Sequence, residues 1–346
     1  KFDFDDILIV PDVHSPITSR YKDVRLPHKL PLFTAPMDTV VNLTNAKTFI
    51  KNKINVVLPR TLDYQEATFI VKHNNMYNVF ISLGFQELAE LKEIQYGRIK
   101  NNGHILIDVA NGHMEKILDY CKDIKTHRPD VIIMVGNIAN PETYRWYATQ
   151  ECVDYIRIGI GNGGGCLTTK QSGIGYPMAS LIYETRQVRN ELELGGVTNL
   201  PKIVADGGMK DYSDIIKALA LGADYVMVGS IFNKCLESCA DSYLYGIKLN
   251  KRLAKYFFKK KYPVKKYFRG MSTKEAQKAM GKTKFKTSEG VVRFRKVEYT
   301  LEGWVENFEH YLRNAMSYSN AKTLEEFIGH GIPIQITRSA YDRFNK

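Results

Sequence analysis

One cysteine in this chain stands where it could do chemistry. Cys166 lies in "RIGIGNGGGCLTTKQSGIGYP" (157–177), behind a run of glycines and two residues ahead of Thr168. A thiolate becomes a useful nucleophile when its charge is stabilised and its approach is open. Thr168 is close enough in sequence to share that site, yet too weak a base to act unaided, so it needs a carboxylate beside it. Glu289, in "KTSEG", is the candidate, although spacing alone does not bring it to Thr168. The competing reading is the ordinary fate of a lone cysteine, burial as an inert small hydrophobe.

The elements that would position these groups can be read from periodicity. Eight short apolar runs read as strands: "LFTAPM" (32–37), "INVVL" (54–58), "NVFISL" (78–83), "HILIDV" (104–109), "VIIMVG" (131–136), "DYIRIG" (154–159), "KIVAD" (202–206) and "DYVMVG" (224–229). Helix-like patterns separate them, from "NAKTFIKN" to "YSDIIKALALG", with apolar residues at helical spacing. Strands this apolar, alternating with helices, predict a parallel sheet buried on both faces. Eight βα units predict an α/β fold of the (β/α)8 TIM-barrel type rather than an open sheet, and no GxGxxG follows an early strand. The whole chain, 1–346, reads as one barrel with no inserted regulatory domain, because strands two and three are close in sequence. Residues from about 272 to 300 read as a mobile flap, and 306–327 as a helical tail. The run "KYFFKKKYPVKKYF" (255–268) reads as a solvated connector between better-defined segments.

A barrel of this kind carries its site at the C-terminal ends of the strands. Strand one offers Asp38, strand four offers Asp108 and Asn111, and strand six runs into the glycine–cysteine loop. Strands seven and eight end in "ADGG" and "VGS". Glycines there let backbone N–H groups approach an anion, so Gly207, Gly208, Gly229 and Ser230 read as a phosphate cradle. Asp206 could accept two ribose hydroxyls, its alternative role being a helix cap. Phosphate and ribose together make the ligand a nucleotide.

Composition bounds these readings. The hydrophobic fraction is 44%, enough for a large core. The apolar runs are too short to span a bilayer, no signal peptide is visible, and no membrane partner is expected. The five cysteines are an odd number in a long chain, which argues against a disulfide scaffold and for a reducing, cytoplasmic setting. "CLESC" spaces Cys235 and Cys239 along one helix face, but no histidine cluster accompanies them to make a metal site. The net charge of +12 suits the steering of anionic small molecules. No nucleic-acid motif is recognisable, and a nucleic-acid partner is not expected.

The ordered motifs point to a family. "IGIGNGGGCLTTKQSGIGYP" resembles the catalytic loop of the IMP dehydrogenase and GMP reductase family, usually written GVGPGSxCTTRxxxGVGYP. "FDFDDILIVP", "APMDTV", "DVANGH", "ADGG", "MVGS", "RGMS" and "SEG" follow in the family's order, over nearly the whole chain. The resemblance implies a homotetramer of (β/α)8 barrels and a cysteine that attacks purine C2. Within the family it is closest to the reductase branch, which converts GMP to IMP and ammonia with NADPH. The regulatory domain pair usual in the dehydrogenase has no room here. The flap "KTKFKTSEG" lacks the dehydrogenase Arg-Tyr pair, "FRGMST" matches the reductase form with Phe268 and Ser272, and Asn111 is reductase-like. "APMD" leans toward the dehydrogenase. The alternatives are a dehydrogenase without regulatory domains, taking IMP to XMP with NAD, and a divergent member acting on a modified purine nucleotide.

Carried over by motif, Cys166 is the nucleophile, and Thr168 with Glu289 handles the proton for departing ammonia. Asp206, Gly207, Gly208, Gly229 and Ser230 match ribose and phosphate positions. Gly270, Met271, Ser272 and the 286–290 segment, with Lys286 and Gly290, match purine contacts. Ser19, Arg20, Arg60, Lys286 and Asp108, Val109 and Ala110 match cofactor positions. Gly161, Gly163 and Cys166 match carbonyls that bind a monovalent cation, typically K⁺, with Thr169 beside them in place of the usual Arg. Asn162 stands for the family's Pro, and Gly164 for the serine that normally touches phosphate.

Overall fold

The computed structural model describes residues 1–74, 76, 78–99, 103–280 and 290–344. Eight parallel strands form its centre: β1 (Leu32–Thr34), β2 (Val57–Leu58), β3 (Phe80–Leu83), β4 (His104–Asp108), β5 (Ile132–Ile138), β6 (Tyr155–Ile158), β7 (Lys202–Asp206) and β8 (Tyr225–Val228). They hydrogen-bond in the order β1-β8-β7-β6-β5-β4-β3-β2. A parallel bridge between Phe33 and Asn55 joins the two ends, closing the sheet into a (β/α)8 TIM barrel. Each predicted strand is present. β5 runs two residues further than its apolar pattern, through Asn137 and Ile138.

Helices surround the barrel because each presents an apolar stripe to it. The longest crossover, Met178–Leu194, buries Leu181, Ile182, Thr185, Val188 and Leu192, and packs beside Tyr212–Leu221. Local caps fix where helices begin: Asp63 accepts from Glu66 N–H, Asn140 from Glu142 N–H with Pro141 next, and Asp211 from Ser213 and Asp214 N–H. The tail forms the helix Leu301–Tyr318, which buries Trp304, Phe308, Leu312 and Met316 against the barrel. Ile7–Ile9 pairs antiparallel with Pro333–Gln335 and packs on the helix Tyr212–Leu221.

The region after β8 differs from its sequence reading. A four-stranded antiparallel sheet stands there, built from β9 (Ser242–Leu244), β10 (Ile247–Leu249), β11 (Lys265–Arg269) and β12 (Val292–Lys296). The lysine-rich 255–268 run is therefore not a connector: it ends the helix Lys251–Lys259 and enters β11. Lys266 shows why the pattern misleads. It is 3% exposed, and its Nζ donates to the carbonyls of Ser238 and Ala240 at 2.9 and 3.0 Å. Burial pushes its pKa down to about 8. Of the expected flap, 274–279 is helix and 292–296 is strand, while residues 281–289 lie outside the described residues. "CLESC" forms turns after the short helix Ser230–Asn233, so Cys235 and Cys239 do not share a helix face. No helix among the described residues is long and apolar enough to cross a membrane.

Candidate active site

A cavity of about 840 Å³ opens at the C-terminal rim of the barrel. The loops after β1, β4, β6, β7 and β8 wall it on one side, and residues 268–280 with Arg295 close the other. Cationic side chains outnumber anionic ones in this wall: Arg60, Arg157, Lys210, Lys234 and Arg295 against Asp108 and Asp206. Such a cavity favours an anionic ligand.

Cys166 is half-buried in that wall, with Sγ 3.2 Å from Thr168 Oγ1. The glycine loop before it is held on both sides rather than free. Cys166 N–H donates to Gly163 O at 2.9 Å, and Val291 N–H donates to Gly165 O at 3.1 Å. Cys166 also bridges Gly290 in antiparallel fashion. Glycine at 165 and 270 is a matter of space. A Cβ at Gly270 would stand 2.5 Å from Gly165 O, and one at Gly165 would stand 2.9 Å from the Phe268 ring. The antiparallel sheet thus straps the cysteine loop to the barrel, a feature absent from the sequence reading.

Asp206 ends β7 and faces the cavity. Asn137 Nδ2 donates to its Oδ2 at 2.9 Å, and Arg157 Nε stands 3.6 Å away. Arg157 Nη2 also reaches Asp108 Oδ1 at 2.5 Å and bonds Asn137 Oδ1. Burial raises the Asp206 pKa, with Arg157 and the Asn137 hydrogen bond opposing that rise. Beyond Asp206 the backbone turns through Gly207 (φ 88°) and Gly208 (φ 91°), a left-handed path that favours glycine. Gly229 and Ser230 complete the far wall at the end of β8.

Gly270, Met271 and Ser272 also line the cavity, and Gly290 packs against Ser272 and Thr273. Arg60 stands at one end with Asp108, Val109 and Ala110. Its Nη1 donates to Asp108 O at 2.6 Å, while its buried Nε has no hydrogen-bond partner among the described residues. Thr169 packs against Gly161, and its hydroxyl donates to Ile174 O at 2.7 Å. Gly161 and Gly163 line the same loop.

Some candidates fall elsewhere. Ser19 and Arg20 line a separate cleft of about 660 Å³ with Asn314 and Tyr318, and Arg20 donates to Asn314 Oδ1 at 2.8 Å. Asp38 is tied to Arg269, and Asn111 accepts from His113 N–H at 3.1 Å; neither lines the cavity. Glu289 and Lys286 lie outside the described residues. Arg157, Asn137, Arg295, Lys210, Lys234 and Gln277 are polar wall residues that sequence reasoning missed. Arg157 left a signal: a charged residue in the middle of the apolar strand "DYIRIG" must find buried partners.

Comparisons with known proteins show the family of the chain. The model of the family described as "IMP dehydrogenase / GMP reductase domain" matches residues 98–343. A GMP reductase of Onchocerca volvulus is 26% identical over 99% of this chain and 93% of its own length. A GMP reductase of Staphylococcus aureus is 28% identical over 94% of this chain and 93% of its own, and one of Staphylococcus saprophyticus is 27% identical over 93% and 92%. The chain belongs to the IMP dehydrogenase / GMP reductase family.

Proposed function

We propose that this chain is a GMP reductase, converting GMP to IMP and ammonia with NADPH through a covalent bond between Cys166 Sγ and purine C2. The observation that carries the reading is the pairing of Cys166 with Thr168 at 3.2 Å inside a cationic cavity walled by Asp206 and the glycine turns of β7 and β8. The similarity to GMP reductases over nearly the full chain supports it.

In this reading Asp206 orients the ribose. Its Oδ2 is occupied by Asn137, which leaves Oδ1 for a hydroxyl. Cys166 attacks C2 as the thiolate, and the 2-amino group departs as ammonia, leaving a thioimidate-type adduct. Thr168, already hydrogen-bonded to Sγ, relays protons to the leaving nitrogen with Glu289 as its partner. Met271 and Ser272 hold the base from the other wall. NADPH, when bound, supplies hydride to C2, and the sulfur is released as IMP forms. Arg60, whose buried Nε lacks a partner among the described residues, fits a polar group of that cofactor, beside Asp108, Val109 and Ala110. The carbonyls of Gly161, Gly163 and Cys166 and the Thr169 hydroxyl are neutral oxygen donors, a chemistry that fits K⁺. Gly163 O accepts one N–H and keeps a lone pair. A single barrel without an inserted regulatory domain, a homotetramer and a cytoplasmic setting belong to the same reading. Among the described residues, the helix Tyr64–His73 is the one helix between β2 and β3, which supports the reductase branch over the dehydrogenase.

The test is a paired assay of the purified chain. GMP with NADPH should be consumed, releasing IMP and ammonia, while IMP with NAD gives no XMP. Turnover only in the IMP and NAD mixture would sink the reductase reading.

A further inference from the structure

We infer that Arg295 grips the 5′-phosphate of the nucleotide, in the space that a hydroxyl-bearing side chain at position 164 would otherwise fill. The inference rests on the reading of the cavity as a purine nucleotide site. Arg295 lies on β12, opposite Lys266 of β11, and its side chain reaches the cavity wall. A Cβ built on Gly164 would stand 3.2 Å from Arg295 Nη2 and 4.0 Å from Ser230 Oγ. The guanidinium, the Ser230 hydroxyl and the backbone of the cysteine loop therefore converge on one corner. Lys234 lines the same cavity.

Gly164 does not have a left-handed φ, so the backbone itself would accept a serine there. What such a side chain meets is Arg295. The glycine and the arginine are thus complementary: one leaves the room and the other uses it. The arginine is also pre-set. It lies over the Phe268 ring, 4.0 Å from the centroid, and Phe268 is itself buried. A cation–π contact at this distance restrains the guanidinium and leaves its N–H groups for an oxyanion. Among the described residues Arg295 has no ion-pair partner; the nearby Glu298 pairs with Lys234 at 3.0 Å and acts on Arg295 only from a distance. Burial, with Arg293 adding repulsion, lowers its pKa, as expected for a cation desolvated ahead of its counter-ion. A phosphate dianion at this corner supplies the missing charge and matches the fork geometry. The consequence is selectivity: the site should prefer the nucleotide over its nucleoside through Arg295.

Calorimetric titration of the full-length chain with GMP and with guanosine tests this. Arg295→Met should weaken GMP by about 30-fold or more, while guanosine stays within about twofold. Adding Gly164→Ser to that variant should recover part of the loss, since the hydroxyl then has room. Arg295→Lys, which keeps charge but not the fork, should fall between and serves if the Met variant is poorly folded. Equal weakening of GMP and guanosine, or unchanged GMP affinity, would overturn the assignment. So would a parent protein that binds both alike. GMP that binds tightly through Arg295 but is never reduced would instead remove the reductase reading and leave this one intact.

Discussion

Three strands of the barrel each supply two inward residues of opposite character, and a fourth does not. β4 gives Leu106 and Asp108, β6 gives Tyr155 and Arg157, and β7 gives Val204 and Asp206; β3 stays apolar with Phe80 before the small Ser82. Because inward positions recur every second residue, each pair contributes one residue to each of two layers. The lower layer is an aromatic plug. Phe33 meets Phe80 edge-on at 5.6 Å and Tyr225 at 5.0 Å, with Leu106, Met134, Val204 and Met227 around them. The upper layer is the hydrogen-bonded group of Arg157, Asp108, Asn137 and Asp206. Two residues of strand separate a region held by shape from one held by charge balance. The plug can tolerate no void, and the rim can tolerate no unpaired ion.

That contrast can be broken from either side. The largest expected effect is Phe80→Ala, which opens a cavity in the plug and should cost about 4 kcal/mol in denaturant unfolding. Nucleotide affinity of the folded fraction should hardly move. A loss under about 1 kcal/mol would show that the plug is not close-packed. Next comes Arg157→Met, expected to cost about 3 kcal/mol by leaving two partly buried carboxylates without their cation. Its sign with pH separates it from a packing defect. Asp206 already has a folded pKa above its unfolded 3.8, and losing Arg157 raises it further. Stability from such a group is present at low pH and lost as pH rises through the folded pKa. The deficit of Arg157→Met against the parent should therefore be larger near pH 8 than near pH 5. A deficit that does not change with pH would mean that the rim is held by packing after all.

The barrel was legible because its strands are short, apolar and β-branched, and because the intervening helices keep a clean stripe. The cysteine loop and the β7 and β8 turns were legible because glycine, cysteine and aspartate there have few other uses at strand ends. The antiparallel sheet was not. β11 and β12 read "KKYFR" and "VRFRK", and no sequence rule says that Lys266 would be buried on two carbonyls. Arg295 was missed for a related reason. Its meeting with Gly164 depends on how two distant strands pair, and the sequence showed only the missing serine. Arg157, by contrast, could have been found, since a charge in an apolar strand demands partners.

The central claim is that Cys166 forms the bond to the substrate. Incubating the parent and Cys166→Ala with GMP, with and without NADPH, and following intact protein mass together with NADPH oxidation tests it most directly. The account predicts a nucleotide-sized mass increase on the parent alone. It also predicts a fall in turnover of about 10³-fold or more in the variant, with its melting temperature unchanged. GMP-dependent NADPH oxidation that survives in Cys166→Ala would contradict it.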